Sequence, residues 1–275
     1  DDTKIAMVIK DVLDAQQMQQ NLDRISEWAR RWEMRFNVTK CRVMHFGKRN
    51  IRYEYKMNGS ILEKVREEKD LGVWMEEDLR SSKQCKMAAQ SANWALGQLG
   101  RAFHFRRASS LIPLYKTFVR PKLEHAVAAW SPWLEGDKEE MEKVQRRLIR
   151  LMSDKKGATY EKQLKSVGLT SLAERRARGD MIKTYKTIIG LNRVDKNNRF
   201  RFRDQSNSKA TRSTVSVSGV EQRERKDVLL KKTKNCFSVR VVDQWNAIPD
   251  KIKTQKSIND FKDKYDEWMR EENTR

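Results

Sequence analysis

The chain has 275 residues, of which 38% are hydrophobic and 35% charged, with a formal net charge of +21. This length suits one large domain or two to three small ones, and the scarcity of glycine (11) and proline (4) favours helices over a β-sandwich. Cys41, Cys85 and Cys236 are too far apart for CxxC-type zinc sites or a disulfide framework. No apolar run approaches the ~18–20 residues of a membrane span.

The first part of the chain, residues 1–77, predicts an α+β unit. An apolar run of strand length (5–9) follows the adjacent carboxylates Asp1 and Asp2, and the chain looks cut inside a structural element. Residues 11–36 repeat apolar side chains every three or four positions, which predicts one amphipathic helix. Strands are predicted at 41–46 and at 51–57.

Two turn signals follow these strands. Asn58-Gly59 predicts a hairpin because both residues tolerate positive φ. Residues 69–74 predict one strand, in which Gly72 marks a bulge or a close backbone approach.

Beyond residue 78 the pattern becomes helical. Helices are predicted, in chain order, over 82–105, 111–119 with a kink or restart at Pro121, 137–152, 171–189 behind a capping box, 237–248 and 257–269. Residues 192–235 are polar with little periodicity, which predicts mostly loop with one short strand at 199–203.

The net positive charge lies almost entirely behind residue 77. Basic and acidic residues number 15 and 14 in 1–77, 15 and 8 in 78–155, and 29 and 16 in 156–275. A solvated surface is one explanation, but an excess of this size favours a polyanion partner, most commonly nucleic acid.

The acid pair Asp1-Asp2 has two interpretations. It is an ordinary exposed terminus, or it belongs to a site for nucleotidyl transfer, in which paired carboxylates hold two divalent ions about 4 Å apart.

An ordered series of motifs resembles the reverse transcriptases of non-LTR (LINE-type) retrotransposons, most closely the jockey-like and chicken-repeat-like elements. Asp1-Asp2-Thr3-Lys4-Ile5 resembles the end of their Ala-Asp-Asp-Thr motif. The other similar stretches are 28–32, 36–47, 53–59, 69–73, 113–116, 119–124, 130–134, 144–147, 168–172, 175–180 and 237–246. Together they are spread over nearly the whole chain.

The resemblance implies a role for several residues. Asp1 and Asp2 match the Mg²⁺-binding acids of the polymerase palm, and Lys40 matches a lysine that acts as general acid towards pyrophosphate. Leu71 and Gly72 match the turn that grips the primer end. The implied partners are an RNA template and a DNA primer.

The resemblance also implies three regions: the C-terminal part of the palm (1–77), a helical thumb (78–155) and a basic C-terminal extension (156–275). In the family, a third carboxylate and the fingers lie upstream, so these upstream segments are expected partners and this chain alone is expected to be inactive. A retrotransposon protein of this kind would lie in the nucleus and cytoplasm, with no membrane partner.

Two rival functions remain open at this point. One is a non-enzymatic nucleic-acid-binding protein derived from a retrotransposon, and the other is an interaction module whose basic face binds an acidic protein. Binding to RNA that weakens steeply with salt would argue against the second.

The remaining candidates are arginines, aromatic residues and possible metal ligands. Arg146, Arg147 and Arg150 are expected to meet phosphate rather than merely solvate a helix. Three other sets have a possible functional role, but a core or surface position is the preferred interpretation for each. They are Cys41 and His45, a possible metal pair; His104 and His125, possible catalytic groups; and Trp130, Trp133 and Trp245, possible stacking platforms for bases.

Overall fold

The computed structural model describes residues 3–103, 106–152, 159–198, 200–202, 215–216 and 234–272. Its helices and short strands confirm a mixed α+β chain. The chain forms two compact units, Asp1–Lys83 and Gln84–Arg275. Asp1, Asp2, His104 and most of the predicted loop 192–235 lie outside the described residues.

The first unit contains one long helix and six described strands. The helix α1 spans Val12–Arg31. The strands are β1 (Arg42–Met44), β2 (Lys56–Met57), β3 (Ser60–Ile61), β4 (Glu63–Val65), β5 (Glu67–Asp70) and β6 (Val73–Glu76). They form three two-stranded sheets, in which β1 pairs with β4 in parallel, β2 with β3 and β5 with β6 antiparallel.

The apolar stripe of α1 packs on the β2–β3 hairpin. Leu22 lies in one core cluster with Tyr55, Met57 and Leu62, and Met18 packs against it. The Gln19 side chain reinforces this contact, since its Nε2 donates to the Lys56 carbonyl at 2.8 Å and its Oε1 accepts from the Lys56 amide at 2.8 Å. One amide side chain thus satisfies both backbone groups of a hairpin residue, as a neighbouring strand would.

The helix α1 ends five residues before the predicted end at Phe36. Glu33 adopts a left-handed conformation (φ 56°), and the Met34 amide donates to the Ala29 carbonyl at 2.8 Å. This is a Schellman motif, which usually carries glycine at the left-handed position. Because glutamate rather than glycine occupies this position, the sequence gives no sign that the helix ends here. The apolar spacing continues to Phe36 and so predicts a helix that is too long.

Three predicted strands of the first unit need correction. Residues 5–9 form no strand, because extended backbone becomes a strand only when a second strand pairs with it, and none does so among the described residues. Only Lys56–Met57 of the predicted strand 51–57 is paired, and Arg52 has a positive φ of 53°. Residues 69–74 belong to two strands rather than one bulged strand.

The hairpin at Asn58-Gly59 is confirmed. These residues have φ of 50° and 80°, the pair of left-handed conformations that a type I′ turn requires, and they join β2 to β3.

The second unit is mostly helical. Its helices, in chain order, are α2 (Ser82–Ala102, which begins at the boundary of the units), α3 (Ala108–Leu114), α4 (Arg120–Glu124), α5 (Val127–Trp130), α6 (Glu135–Leu151), α7 (Tyr160–Ser166), α8 (Leu172–Ile188), α9 (Phe237–Arg240), α10 (Val242–Ala247), α11 (Asp250–Lys253) and α12 (Ile258–Glu272). In the short antiparallel pair of β7 (Arg201–Phe202) with β8 (Val215–Ser216), β7 falls within the predicted strand 199–203, whereas β8 lies where loop was predicted.

Local signals placed the helix ends well at α4 and α8. Pro121 lies at the start of α4, after a π-helical turn over Tyr115–Val119 that joins it to α3. The capping box is confirmed, since the Ser171 hydroxyl accepts from the Glu174 amide and the Glu174 carboxylate accepts from the Ser171 amide.

The C-terminal helices pack on α8 around an aromatic core. Tyr185 of α8 stacks on Phe261 of α12 with 4.2 Å between ring centroids, and Trp245 of α10 is 6.0 Å from Phe261. The predicted single helix over 237–248 is two short ones, α9 and α10, that meet at the buried Val241. Among the described residues no helix is long and apolar enough to cross a bilayer.

Candidate nucleic-acid interface

The β5–β6 hairpin presents Leu71 and Gly72 at its tip. Leu71 has φ 45° and Gly72 has φ 85°, so both central residues of the turn are left-handed. A leucine in this conformation costs roughly 1–2 kcal/mol. Its side chain is nevertheless 75% exposed. Backbone strain of this kind is typical of positions that bind a ligand or partner, and it lowers rather than raises the stability of the fold.

An ion pair joins this hairpin to the start of the chain. Lys4 Nζ contacts Asp70 Oδ2, immediately before the turn. Asp1 and Asp2 are outside the described residues, but only Thr3 separates Asp2 from Lys4 along the chain. The described contact therefore joins Lys4 and Asp70, which are 66 residues apart in the sequence.

Lys83 holds the hairpin from its other end. Its ammonium pairs with Glu67 and lies 3.9 Å from the centroid of the Trp74 ring. Its backbone amide donates to Glu76 Oε2 at 3.0 Å. The sequence analysis did not predict the role of Lys83. A lysine at the start of a helix gives no sign that it contacts Glu67 and Trp74, which precede it by sixteen and nine residues.

Lys40 is the last residue of a 3₁₀ turn, Val38–Lys40, and is exposed. No carboxylate among the described side chains pairs with its ammonium, and the described contacts do not join it to Lys4 or Asp70. Its assignment as a general acid stays a prediction.

The three arginines of α6 have different environments. Arg146 is half-buried, pairs with Glu139, and its guanidinium carbon lies 5.1 Å from the centroid of the Tyr160 ring. Arg147 and Arg150 are exposed, and Arg147 Nη1 donates to Asn93 Oδ1 at 3.2 Å. Arg147 and Arg150 are therefore the exposed arginines of this helix, while Arg146 already has a carboxylate and a ring as partners.

A buried polar cluster anchors the opposite face of α6. Tyr115 donates to Gln145 Oε1 at 2.8 Å, and Gln145 Nε2 donates to the Thr170 carbonyl at 2.9 Å. Glu142 accepts from the Tyr160 hydroxyl at 2.5 Å and from the Leu172 amide at 3.0 Å. Burial, followed by the hydrogen bond to Glu142, raises the pKa of Tyr160. These bonds fix the rotation of α6 and so direct Arg147 and Arg150 outwards.

The weaker sequence candidates have structural surroundings. Trp130 and Trp245 are buried, and Trp130 Nε1 donates to the His125 carbonyl at 2.8 Å, which fits their interpretation as core anchors. Trp133 is half-buried and His125 is exposed. The functional candidate that the sequence analysis passed over is Trp94 on α2, whose side chain is 67% exposed.

His45 is a buried core residue rather than half of an evident metal pair. It stacks on Tyr55 with 6.1 Å between ring centroids, and its Nε2 has no hydrogen-bond partner. Cys41 Sγ instead contacts the Asn37 carbonyl at 3.4 Å. Burial, and then the charges of Lys64 and Arg52, lower the pKa of His45.

We expect the first unit to lose stability in mild acid because of His45. The pKa of His45 is lower in the folded state than the value of about 6.5 in the unfolded state. Its full contribution to the free energy of unfolding is therefore present when the pH is above the unfolded pKa, and it is lost as the pH falls through the folded pKa. Hydrogen exchange of amides in residues 12–65, followed between neutral and acidic pH, measures the effect. His45→Phe should flatten the profile, whereas the exposed control His125→Gln should leave it unchanged. An unaltered profile in His45→Phe would assign the acid sensitivity to other groups.

Metal ligands were sought among the described side chains. No group of three or more His, Cys, Asp or Glu in that part of the chain could hold a metal ion. The described residues therefore do not supply a Mg²⁺ site, and the site expected at Asp1 and Asp2 stays a prediction.

Comparisons of this chain with protein-family models, with curated proteins and with solved structures return no match.

Proposed function

We propose that this chain is a C-terminal part of the RNA-directed DNA polymerase of a non-LTR retrotransposon, in which the Leu71–Gly72 turn contacts the primer end. The contact between Lys4 and Asp70 carries the proposal. In a polymerase the primer terminus must lie beside the metal-binding acids, so the acid motif and the turn that holds the primer have to be neighbours. Lys4, which belongs to the same sequence motif as the acids, and Asp70, which immediately precedes the Leu71-Gly72 turn, are joined by that contact.

The rest of the proposal concerns how the nucleic acid is held. An RNA–DNA hybrid presents two lines of phosphates, which basic side chains recognise without reading the sequence. The net positive charge of residues 78–275 and the outward direction of Arg147 and Arg150 on α6 support such a role. Catalysis would further require acids and a nucleotide site that the family carries upstream.

A cross-linking experiment tests the assignment of the turn. Leu71 is replaced by the photoreactive residue p-benzoylphenylalanine, and the purified chain is irradiated with an RNA template annealed to a labelled DNA primer. We expect cross-links concentrated on the last nucleotides at the primer 3′ end. The matched control carries the same residue at Ile61, which is 57% exposed on the neighbouring β2–β3 hairpin.

The outcome separates the proposed function from its rivals. Equal cross-linking along the primer from both positions would contradict a primer grip at Leu71. If the chain still bound the hybrid, a non-enzymatic nucleic-acid-binding protein would become the better description.

A salt series tests the phosphate contacts of α6. On duplex DNA the logarithm of the binding constant should fall with the logarithm of salt concentration, with a slope near −0.9 for each phosphate neutralised. Arg147→Gln with Arg150→Gln should flatten that slope by up to about 2, and Arg146→Gln should change it little because Arg146 pairs with Glu139. Fluorescence anisotropy measures the parent and both variants. An unchanged slope in the double variant would move the binding surface away from α6.

A further inference from the structure

The exposed face of α2 has an unusual composition. None of its 21 residues is acidic, although the chain contains 38 Asp and Glu residues. Its exposed side chains include Gln90, Trp94, Gln98 and Arg101, which follow one another at helical spacings of three or four. A 67% exposed indole therefore lies on a surface of amides and positive charge, without a carboxylate from its own helix.

The exposed arginines of α6 border this face. Arg147 donates to Asn93, the residue immediately before Trp94, and its Nη2 lies about 4.0 Å from the place that a Cβ of Gly97 would occupy. Arg150 follows one turn later on the same side of α6 and is exposed. The Arg147 guanidinium therefore lies against α2 at Asn93 and Gly97, on either side of Trp94 in the sequence.

This combination fits an unpaired nucleotide. Guanidinium groups bind phosphate oxygens, and an exposed indole offers a flat surface on which a base stacks. Inside a duplex both faces of a base are covered by its neighbours, so stacking on a side chain requires a base without a partner strand. An acidic peptide would satisfy the arginines but would make no use of the indole face.

We propose that the α2–α6 surface, defined by Trp94, Arg101, Arg147 and Arg150, binds a single-stranded stretch of nucleic acid. Trp94 stacks on a base, while the arginines contact the phosphates on either side of it. The inference rests on the proposed function in that the chain binds nucleic acid, and it extends the phosphate contacts of Arg147 and Arg150 to an unpaired strand that stacks on Trp94.

The other exposed tryptophans provide a contrast. Trp28 and Trp32 on α1 are 52% and 68% exposed. The cations nearest to them along that helix, Arg30 and Arg31, both pair with Glu27, at 3.1 and 3.4 Å. Since both guanidinium groups already have a carboxylate partner, Trp32→Ala is a matched control for the loss of an exposed indole.

The test uses two labelled single strands of about 12 nucleotides, a length within the range that a single-strand site covers. One strand carries bases and the other is abasic, so that only the first can stack while both present phosphates. By anisotropy, Trp94→Ala should bind the base-bearing strand about 5- to 100-fold more weakly than the parent does, and the abasic strand equally well. Trp94→Phe should retain most of the affinity, and Trp32→Ala should match the parent.

The arginines should behave differently from the indole. Arg147→Gln should weaken binding to both strands and flatten the salt dependence by about 0.7, the value for a phosphate of a single strand. An affinity of Trp94→Ala equal to that of the parent on the base-bearing strand, or an equal loss on both strands, would overturn the inference. Equal sensitivity of polyglutamate binding to Trp94→Ala would also overturn it, in favour of an acidic protein partner.

Failure of this inference can be told from failure of the proposed function. If Trp94→Ala is neutral but the hybrid still binds and Leu71 still cross-links to the primer end, only the single-strand site is wrong. If neither hybrid nor single strand binds at low salt, both proposals are wrong.

Discussion

Replacing Asp180 by alanine should destabilise the second unit by about 3–5 kcal/mol, the cost of leaving a buried charge without its partner. Asp180 on α8 is buried and accepts from Arg240 Nε at 2.8 Å and from Arg240 Nη2 at 3.0 Å. Arg240 also donates to the Ala128 and Asn235 carbonyls, at 2.8 and 2.9 Å. One guanidinium therefore connects α5, α8 and α9, and Asp180→Ala removes the only carboxylate that compensates it among the described residues. Denaturant unfolding monitored by circular dichroism measures the change.

A similar pair nearer the surface is the control for Asp180. Arg178 donates to Asp266 through two bonds of 2.6 and 2.7 Å, but both side chains are about one third exposed, at 34% and 31%. Solvent screening limits the loss in Asp266→Ala to about 1 kcal/mol. The double variant Asp180→Leu with Arg240→Met should recover much of the stability lost in Asp180→Ala, because no charge remains buried. Equal losses in Asp180→Ala and Asp266→Ala would show that burial does not govern this pair.

Glu142→Ala should destabilise the same unit by about 2–4 kcal/mol, since it leaves buried donors without an acceptor. Glu142 accepts from the Tyr160 hydroxyl, from Gln145 Nε2 at 3.2 Å and from the Leu172 amide. The Tyr160 hydroxyl and the buried Leu172 amide lose their acceptor, while Gln145 Nε2 keeps the Thr170 carbonyl. The loss should appear in the free energy of unfolding measured with urea.

Glu139→Ala is the control on the same helix. Glu139 pairs with Arg146 at the surface, where its side chain is 42% exposed, so we expect a change within about 1 kcal/mol. Tyr160→Phe should lie between the two, because it removes one donor and leaves the Glu142 carboxylate with the other two. A loss in Glu142→Ala no larger than that in Glu139→Ala would rule out a structural role for the buried cluster.

Features set by a few consecutive residues were predictable from the sequence. The Ser171–Glu174 capping box and the Asn58-Gly59 turn are local arrangements, and both are present in the structure. The turns at Glu33 and at Leu71 were missed or misplaced because neither position carries the glycine or asparagine that usually marks a left-handed residue.

In the candidate site, too, the residue types were predictable but their contacts were not. The charge of the segment predicted that arginines of α6 would bind phosphate. Which of them are accessible depends on their partners, such as Glu139, which lies seven residues before Arg146. Trp94 escaped notice because a tryptophan among alanines and leucines has the pattern of a core residue. The lack of any acid in α2 was a usable sequence signal, since exposed helix faces commonly carry both signs of charge.

The helix α8 packs against residues that are translated long after it, and this affects how the protein folds during synthesis. Phe261, which stacks on Tyr185, and Asp266, which pairs with Arg178, follow their partners by more than seventy residues. Ribosomes add about 5–20 residues per second, so α12 emerges roughly 4–14 s after α8. During that interval the face of α8 that carries Met181 and Tyr185 has no cover from α12. An apolar helix face that is exposed to water for several seconds favours chaperone binding and aggregation. Slower translation of the residues between α8 and α12 should lengthen this exposure in proportion.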